Sequence, residues 1–287
     1  MELPLDLTVA IPVKNEAINL PKCLEAIGNG FVKEIIVIDS GSLDETELIA
    51  KSYNATFVNF KWDGRFPKKR NWLLRNYAFK STWILFLDAD EYLTEEFKKE
   101  LRHKISEANS NILGYWLKYN IYFMGKKLKG GYPLKKLALF KLGSGEYEKI
   151  DEELWSKLDM EIHEHPIIKG MVSSFSSKID HQDYRGINHY MQKHNEYAAW
   201  EAKRYIDNIN NKEVNNWTYK QRIKYYLMKS VLIGVIFFLG SYFFMGGFRD
   251  GKRGFVFAIL KMTYFLNIYC RINELIDSEV YLTGKML

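Results

Sequence analysis

Three short apolar runs, each ending abruptly in polar residues, constrain this chain more than anything else in it. LTVAIPV closes on KNEAIN, EIIVID closes on SGSLDET, and WILFL closes on DADEY. Each has the length of a strand buried on both faces rather than of a helix. Between them the period changes: Leu20, Leu24, Ile27 and Phe31 recur at helical spacing, with Pro21 tolerable in a first turn. Ser42 and Glu45 have capping-box spacing and predict a helix that begins there. Ala55 to Phe60 is a further strand candidate, a helix is predicted from about Lys68 to Phe79, and Phe97, Leu101, Ile105 and Ala108 mark the apolar stripe of another. Strand–helix alternation of this kind predicts an α/β domain built on a mostly parallel sheet. Ligands bind beyond the carboxyl ends of such strands, so Asn15 with Glu16, the segment 39–44 and the segment 88–91 are expected on one edge.

After Asn111 the pattern becomes more mixed: GYWLKYNIYF and LKKLALF read as strands, Ile162 to Ile168 as extended chain, and Ile187 to about Ile206 as a helix. With 287 residues and 47% hydrophobic content, a substantial core is within reach. Cys23 and Cys270 are the only cysteines, which disfavours a disulfide framework and makes a reducing compartment the expectation. The opening MELPLDLTVAIPV has no basic region before its apolar run, so no cleaved leader is predicted.

Several polar groups carry candidate chemistry. Asp88 and Asp90 flank Ala89 at a strand end, where a turn would aim both at one point. Oxygen donors so spaced suit Mg²⁺ or Mn²⁺; the same residues also read as solvated charge before a helix N-terminus, and spacing alone leaves both readings open. Asp39 ends a strand and is placed to accept from a base or a ribose, while a plain turn explains Gly41, Ser42 and Asp44 equally well. In KWDGRFPKKRNWLLRNYAFK, Lys69 and Arg70 either offset a diphosphate or belong to a basic solvated helix face. MEIHEHPIIKG brings Glu161, His163, Glu164 and His165 together without forming HExxH, and a carboxylate there is a candidate general base. His181, in KIDHQDY, reads as a metal ligand, a phosphate contact or a structural histidine. Neither GxGxxG nor a Walker sequence is present, which argues against the common dinucleotide and P-loop designs.

From Asn216 the chain turns aromatic, basic and apolar, and no charged side chain lies between Lys229 and Arg249. Lys220, Arg222 and Lys224 precede that run, and Lys252 and Arg253 follow it. A single crossing would put basic clusters on both sides of a bilayer. Two helices dipping into one leaflet and turning at MGGFRDGKRG avoid this, so monotopic or peripheral attachment is expected, with a buried helical pair or a homodimer interface as the alternatives.

The order VAIPVKNEAINLPKCLEAI, EIIVIDSGSLDET, KKRNWLL and WILFLDADEYL resembles the family-2 glycosyltransferases across about residues 7 to 110. Within them it is most similar to the branch containing bacterial lipopolysaccharide core glycosyltransferases. The resemblance implies a GT-A-type nucleotide-sugar domain over 1–215, divided near 110, and a membrane-association region over 216–287. It implies that Pro12, Asn15, Glu16 and Asp39 line the nucleoside pocket, with Lys69 and Arg70 nearby. Asp88 and Asp90 become the metal–diphosphate motif, Asp90 the more direct ligand, with His181 a further contact, and Mg²⁺ or Mn²⁺ the cofactor. Glu164 takes the part of base, supported by His163, where many relatives use the aspartate of an ED pair that this chain lacks. QxxRW is absent too, so a single addition is expected rather than processive synthesis. The implied activity is inverting transfer from a nucleotide-sugar donor (a UDP-sugar favoured) to a lipopolysaccharide core or other lipid-linked saccharide, at the cytoplasmic face of a bacterial inner membrane. A membrane-tethered, non-catalytic binding or scaffold protein is the alternative, and nucleic acid is not an expected partner.

Overall fold

A computed structural model describes residues 3–106, 111–150, 159, 165–210 and 219–283. The chain divides into two compact units: residues 1–127, 134–153 and 157–185 form the first, and 128–133, 154–156 and 186–287 the second.

The first unit runs β1 (Leu5–Val13), α1 (Leu20–Ile27), β2 (Val32–Asp39), α2 (Thr46–Ser52), β3 (Thr56–Asn59), α3 (Lys69–Asn76), β4 (Trp83–Phe86), β5 (Glu91–Tyr92) and α4 (Glu95–Ser106). It continues with β6 (Ile112–Phe123), β7 (Lys126–Lys127), β8 (Lys135–Lys141), β9 (Gly145–Tyr147), β10 (Pro166–Ile168) and β11 (Met171–His181). Among the described residues, nine strands form one sheet in the order β3-β2-β1-β4-β8-β6-β11-β5, with β7 paired to β6, and β9 and β10 form a separate two-stranded antiparallel sheet. The first four strands in chain order run parallel; β8 is antiparallel to both β4 and β6, and β11 returns parallel to β6. The sheet is thus parallel over β1 to β4 and mixed beyond them.

Residue parity along β1 explains the layering. Leu7, Val9, Ile11 and Val13 face one core with Leu20, Leu24 and Ile27 of α1 and Phe97 and Leu101 of α4. Ala10 faces the other, with Ile36, Ile38, Leu73 of α3, Ile84, Phe86 and Phe140. Each such side chain withdrawn from water contributes about 1.5–3 kcal/mol, so α helices are held on both faces. Pro12 has the parity of Ala10, whose carbonyl accepts from the Leu87 N–H. Its missing N–H therefore falls on the β4 side, past the last β1–β4 pair at Ala10 and Phe86, where no ladder bond is lost.

Local expectations were corrected at two places. The helix predicted to begin at Ser42 begins at Thr46. Ser42 is drawn away because its hydroxyl donates to the Asp39 carboxylate, and Asp44 instead accepts from the Thr46 N–H at 3.1 Å. The helix predicted over 68–79 stops at Asn76, and Lys69 and Arg70 do not belong to a solvated face: Lys69 is 1% exposed and Arg70 8%, while Arg75 is exposed.

The second unit holds α5 (Gly186–Asn210), α6 (Tyr219–Met228), α7 (Leu232–Leu239) and α8 (Gly251–Thr283). A π-helical turn at Gly240–Phe244 and a 3₁₀ turn at Gly247–Asp250 join α7 to α8. Helices α7 and α8 lie antiparallel: Phe237 stacks on Phe265 at 3.5 Å between ring centroids, and Phe238 meets Phe255 at 5.8 Å. Ala198, Ala202 and Tyr205 of α5 pack with Ile268 and Ile272 of α8. The turn between α7 and α8 is held by the segment 128–133: Asp250 accepts from the N–H groups of Lys129 and Gly130, and the Gly131 N–H donates to Met245 O at 2.9 Å.

Candidate functional site

At the carboxyl edge of β1, β2 and β4 the three polar loops lie within one unit, as strand order requires. Asp39 Oδ2 accepts from the N–H groups of Gly41 and Ser42, both at 2.8 Å, so this carboxylate also folds its own loop. Asn15 takes a left-handed conformation with φ 56° and ties the first loop to the second: its N–H donates to Ser42 Oγ at 2.7 Å and its Oδ1 accepts from the Leu43 N–H at 2.8 Å. Glu16 accepts from Asn19 Nδ2 and from Arg185 Nη1 at 2.6 Å.

Helix α3 delivers two cations into the edge. Lys69 Nζ donates to Val13 O at 2.8 Å and lies 3.4 Å from Asp159 Oδ2. Burial pushes the Lys69 ammonium below the usual lysine range, opposed by Asp159, whose own carboxyl is held low by that lysine against its burial. Arg70 Nη2 donates to Asp88 Oδ1 at 2.8 Å, and Lys136 Nζ, from β8, sits 2.5 Å from both Asp88 Oδ2 and Glu91 Oε1. Burial alone would raise the Asp88 carboxyl; Lys136 and Arg70 outweigh it and hold the group well below the ordinary carboxylate range. The DADE turn closes on itself, with the Asp88 N–H donating to Glu91 Oε2 and the Glu91 N–H to Asp88 O. Asp90 and Glu91 are 4% and 1% exposed, so neither is solvated charge before a helix.

The acidic turn meets His181 through a short strand pairing between segments about 90 residues apart in sequence. β5 pairs antiparallel with the end of β11, setting His181 opposite Glu91 and Asp180 opposite Tyr92. As a result His181 Nε2 lies 3.4 Å from Asp90 Oδ2, and Arg185 Nη2 lies 4.0 Å from the same oxygen. Arg185 is fixed in turn by Asp183, whose carboxyl is lowered to about 2: burial works to raise it, and the guanidinium outweighs that.

The donor chemistry fits a divalent ion. Asp90 Oδ2 and His181 Nε2 border one point, an oxygen and an imidazole suited to Mn²⁺ and acceptable to Mg²⁺, with other positions left for phosphate or water oxygens. Asp88 gives both its oxygens to Arg70 and Lys136. Among the described residues no three His, Cys, Asp or Glu side chains form a ready cage, so such an ion would need oxygens from a ligand.

Of the residues singled out from sequence, Pro12, Asn15, Glu16, Asp39, Lys69, Arg70, Asp88, Asp90 and His181 all lie at or beside this edge. Glu164 and His163 lie outside the described residues. Sequence reasoning missed Lys136, Asn19, Asp183 and Arg185. Lys136 had a signal, a lysine opening the strand LALF; the other three acquire meaning only through the β5–β11 pairing.

A model of the family described as "Glycosyl transferase family 2" matches residues 8–151. The chain is 25% identical to an uncharacterized glycosyltransferase of Rickettsia prowazekii (strain Madrid E), over 96% of this chain and 92% of that one. It is also 25% identical to the lipopolysaccharide core biosynthesis glycosyltransferase LpsC of Rhizobium meliloti (strain 1021), over 91% and 89%. Among solved structures, glucosyl-3-phosphoglycerate synthase from Mycobacterium tuberculosis, crystallised with Mn²⁺, UDP and glucosyl-3-phosphoglycerate, is similar at 24% identity and a TM-score of 0.33. That likeness covers 41% of this chain and 44% of the solved one, less than half of its length.

Proposed function

Because the chain belongs to glycosyl transferase family 2, with an α/β fold of GT-A type followed by apolar helices, we propose that it transfers one sugar from a nucleotide-sugar donor to a hydroxyl of a lipopolysaccharide core or other lipid-linked saccharide. The observation that carries this reading is the meeting of Asp90 with His181 beside an Asp88 clamped by Arg70 and Lys136, on the edge that also bears Asp39 and Asn15. The similarity to LpsC supports the acceptor class.

In this reading Asp39 and Asn15 bind the nucleoside, with Pro12 and Glu16 shaping that pocket. Asp90 and His181 hold a Mg²⁺ or Mn²⁺ ion, which when bound supplies positive charge against the diphosphate. Arg70 stays oriented by Asp88 towards the same phosphates, and Lys69 stiffens the loop through Val13 O. Preorganised cations of this kind favour charge developing on the leaving group without reorganising during the reaction. The acceptor hydroxyl attacks the anomeric carbon from the face opposite the departing diphosphate. Its proton passes to Glu164, and no sugar–enzyme bond forms. The apolar helices hold the enzyme on the cytoplasmic face of the inner membrane, beside an amphiphilic acceptor.

Purified full-length protein, incubated with a panel of nucleotide sugars, Mn²⁺ or Mg²⁺ and extracted lipid-linked saccharides, tests the proposal. The expected result is release of nucleoside diphosphate with one sugar added per acceptor, abolished by chelator and reduced at least a hundredfold in Asp90→Asn. Glu164→Gln is expected to lose transfer while still binding donor. Failure to bind or turn over any donor would sink the reading.

A further inference from the structure

The second unit carries a polar cluster that sugar transfer at the sheet edge does not use. On α8, Lys261 Nζ lies 3.5 Å from His194 Nε2 of α5 and 5.5 Å from the centroid of the Phe257 ring. His194 stacks on Tyr190 at 3.9 Å and meets the edge of Tyr264 at 5.4 Å. Its Nδ1 lies 2.9 Å from Tyr190 O, which fixes the proton on Nδ1 and turns the Nε2 lone pair towards Lys261.

Lys261 has no carboxylate partner among the described residues; the charge that acts on it is the like charge of Lys193, one residue from His194. Burial, then Lys193, brings its pKa down to about 8. A lysine in that setting costs free energy that an acidic side chain normally offsets. Lys261, His194, Tyr190 and Tyr264 are each only half-buried, so the cluster borders solvent. The surroundings are aromatic: Tyr132, Tyr190 and Tyr197 all lie close enough to Tyr264 to raise its hydroxyl, after burial and alongside Glu201. Rings present apolar faces suited to the C–H face of a sugar, while the Lys261 ammonium, held by the His194 Nε2 lone pair, has further N–H groups for an oxyanion.

We propose that Lys261, His194 and the tyrosines around them bind an anionic sugar residue, a ring bearing a carboxylate or phosphate. That the sugar belongs to the acceptor rests on the transferase reading; that the cluster binds it does not. Because Glu201 stands near Tyr264, the oxyanion is placed on the Lys261 side and the ring's hydroxyls towards the tyrosines.

The test uses full-length protein labelled with ¹⁵N-histidine, in detergent micelles, titrated separately with glucuronate, glucose, inorganic phosphate and phosphatidylglycerol vesicles while the His194 resonances are followed. Glucuronate is expected to give a saturable shift, with glucose and inorganic phosphate each at least tenfold weaker. Lys261→Met, which exchanges a half-buried charge for an apolar side chain of similar length, is expected to weaken glucuronate about tenfold or more while its thermal midpoint holds or rises. Tyr190→Phe keeps the ring and is expected to bind within about threefold of wild type. No saturable shift with glucuronate, or equal binding by Lys261→Met, would overturn the site. Phosphate binding as tightly as glucuronate, or a response to the vesicles alone, would overturn its assignment to a sugar. Donor turnover measured on the same preparation separates the two readings: intact turnover without glucuronate binding sinks only this one, and glucuronate binding without any donor turnover sinks only the transferase.

Discussion

Glu100 of α4 repairs a defect in the sheet. The ladder pairs Ser174 with Trp116 and Lys178 with Lys118, so β11 carries extra residues there that β6 cannot match. The stranded N–H groups of Ser176 and Ser177 donate instead to the Glu100 carboxylate, at 2.9 and 2.7 Å, and the Ser177 hydroxyl adds a third bond at 2.6 Å. Burial works to raise this carboxyl; the serine donors outweigh it and leave the pKa below the ordinary glutamate value. A carboxylate whose folded pKa is depressed gives stability that is full above the unfolded value, near 4.3, and that is lost as pH falls through the lowered folded value. Glu100→Gln keeps one acceptor and loses the charge, so it is expected to cost about 1 kcal/mol at pH 6. That difference should shrink as the pH drops below about 4, because only the wild type then loses a favourable ion. Urea midpoints of both proteins at pH 6, 5, 4 and 3 check it, and a gap that stays constant would remove Glu100 from this role.

At the scale of elements, the strands that were legible are those with continuous apolar runs, β1, β2 and β4, because burial on both faces writes itself into composition. β11 was not legible. Its sequence MVSSFSSKIDH buries only Phe175 and Ile179 deeply, and its serines are satisfied by Glu100 and not by a simple alternation. β5 has two residues and exists because β11 is there to pair with it, so the contact between His181 and Asp90 was also beyond local reading. The capping box failed for a related reason, since a carboxylate at a strand end outcompeted the helix for Ser42. The turn between α7 and α8, by contrast, falls within MGGFRDGKRG, where the charge pattern had placed it. Its glycines make unequal demands. A Cβ on Gly254 would run into the backbone carbonyl of Gly247, which has no flexible end to give way, whereas a Cβ on Gly240 meets nothing within 4 Å. Gly254→Ala is therefore expected to cost about 1–3 kcal/mol and to open the 3₁₀ turn to protease between 245 and 251. Gly240→Ala, in right-handed helical geometry, should be neutral or stabilise by a few tenths of a kcal/mol. Matching melts and digestion patterns for the two variants would refute the close-packed turn.

For the molecule as a whole, the question is what the second unit does with apolar surface that its own packing leaves bare. Among the described residues one helical stretch, Gly247–Ser278, is long and apolar enough to cross a membrane, with only 22% of its most apolar window buried. Length alone would admit a crossing. The most exposed apolar side chain among the unit's described residues lies at the turn, however: Phe244 is 88% exposed, with Phe243 and Phe248 both at 53%, while Val231, Leu232, Val235, Ile236 and Leu239 extend the surface along α7. Arg249 and Lys252 stand beside the phenylalanines in sequence, so apolar rings and cations share the tip. A tip of this composition suits the headgroup–acyl boundary of an anionic leaflet, rings below and cations at the phosphates. Each phenylalanine ring taken from water is worth about 1.5–3 kcal/mol, and each basic residue near an anionic surface about 1 kcal/mol. The rings should therefore set a salt-resistant part of the affinity and the cations a salt-sensitive part. In sedimentation with vesicles of phosphatidylcholine and phosphatidylglycerol, replacing Phe243, Phe244 and Phe248 together by serine is expected to weaken binding more than a hundredfold at any ionic strength. Arg249→Gln with Lys252→Gln should weaken it about tenfold at 0.05 M salt and hardly at all at 0.5 M. A spanning helix would respond differently: the triple serine variant would stay in the membrane fraction under alkaline carbonate, and that outcome would replace attachment to one leaflet with a true crossing.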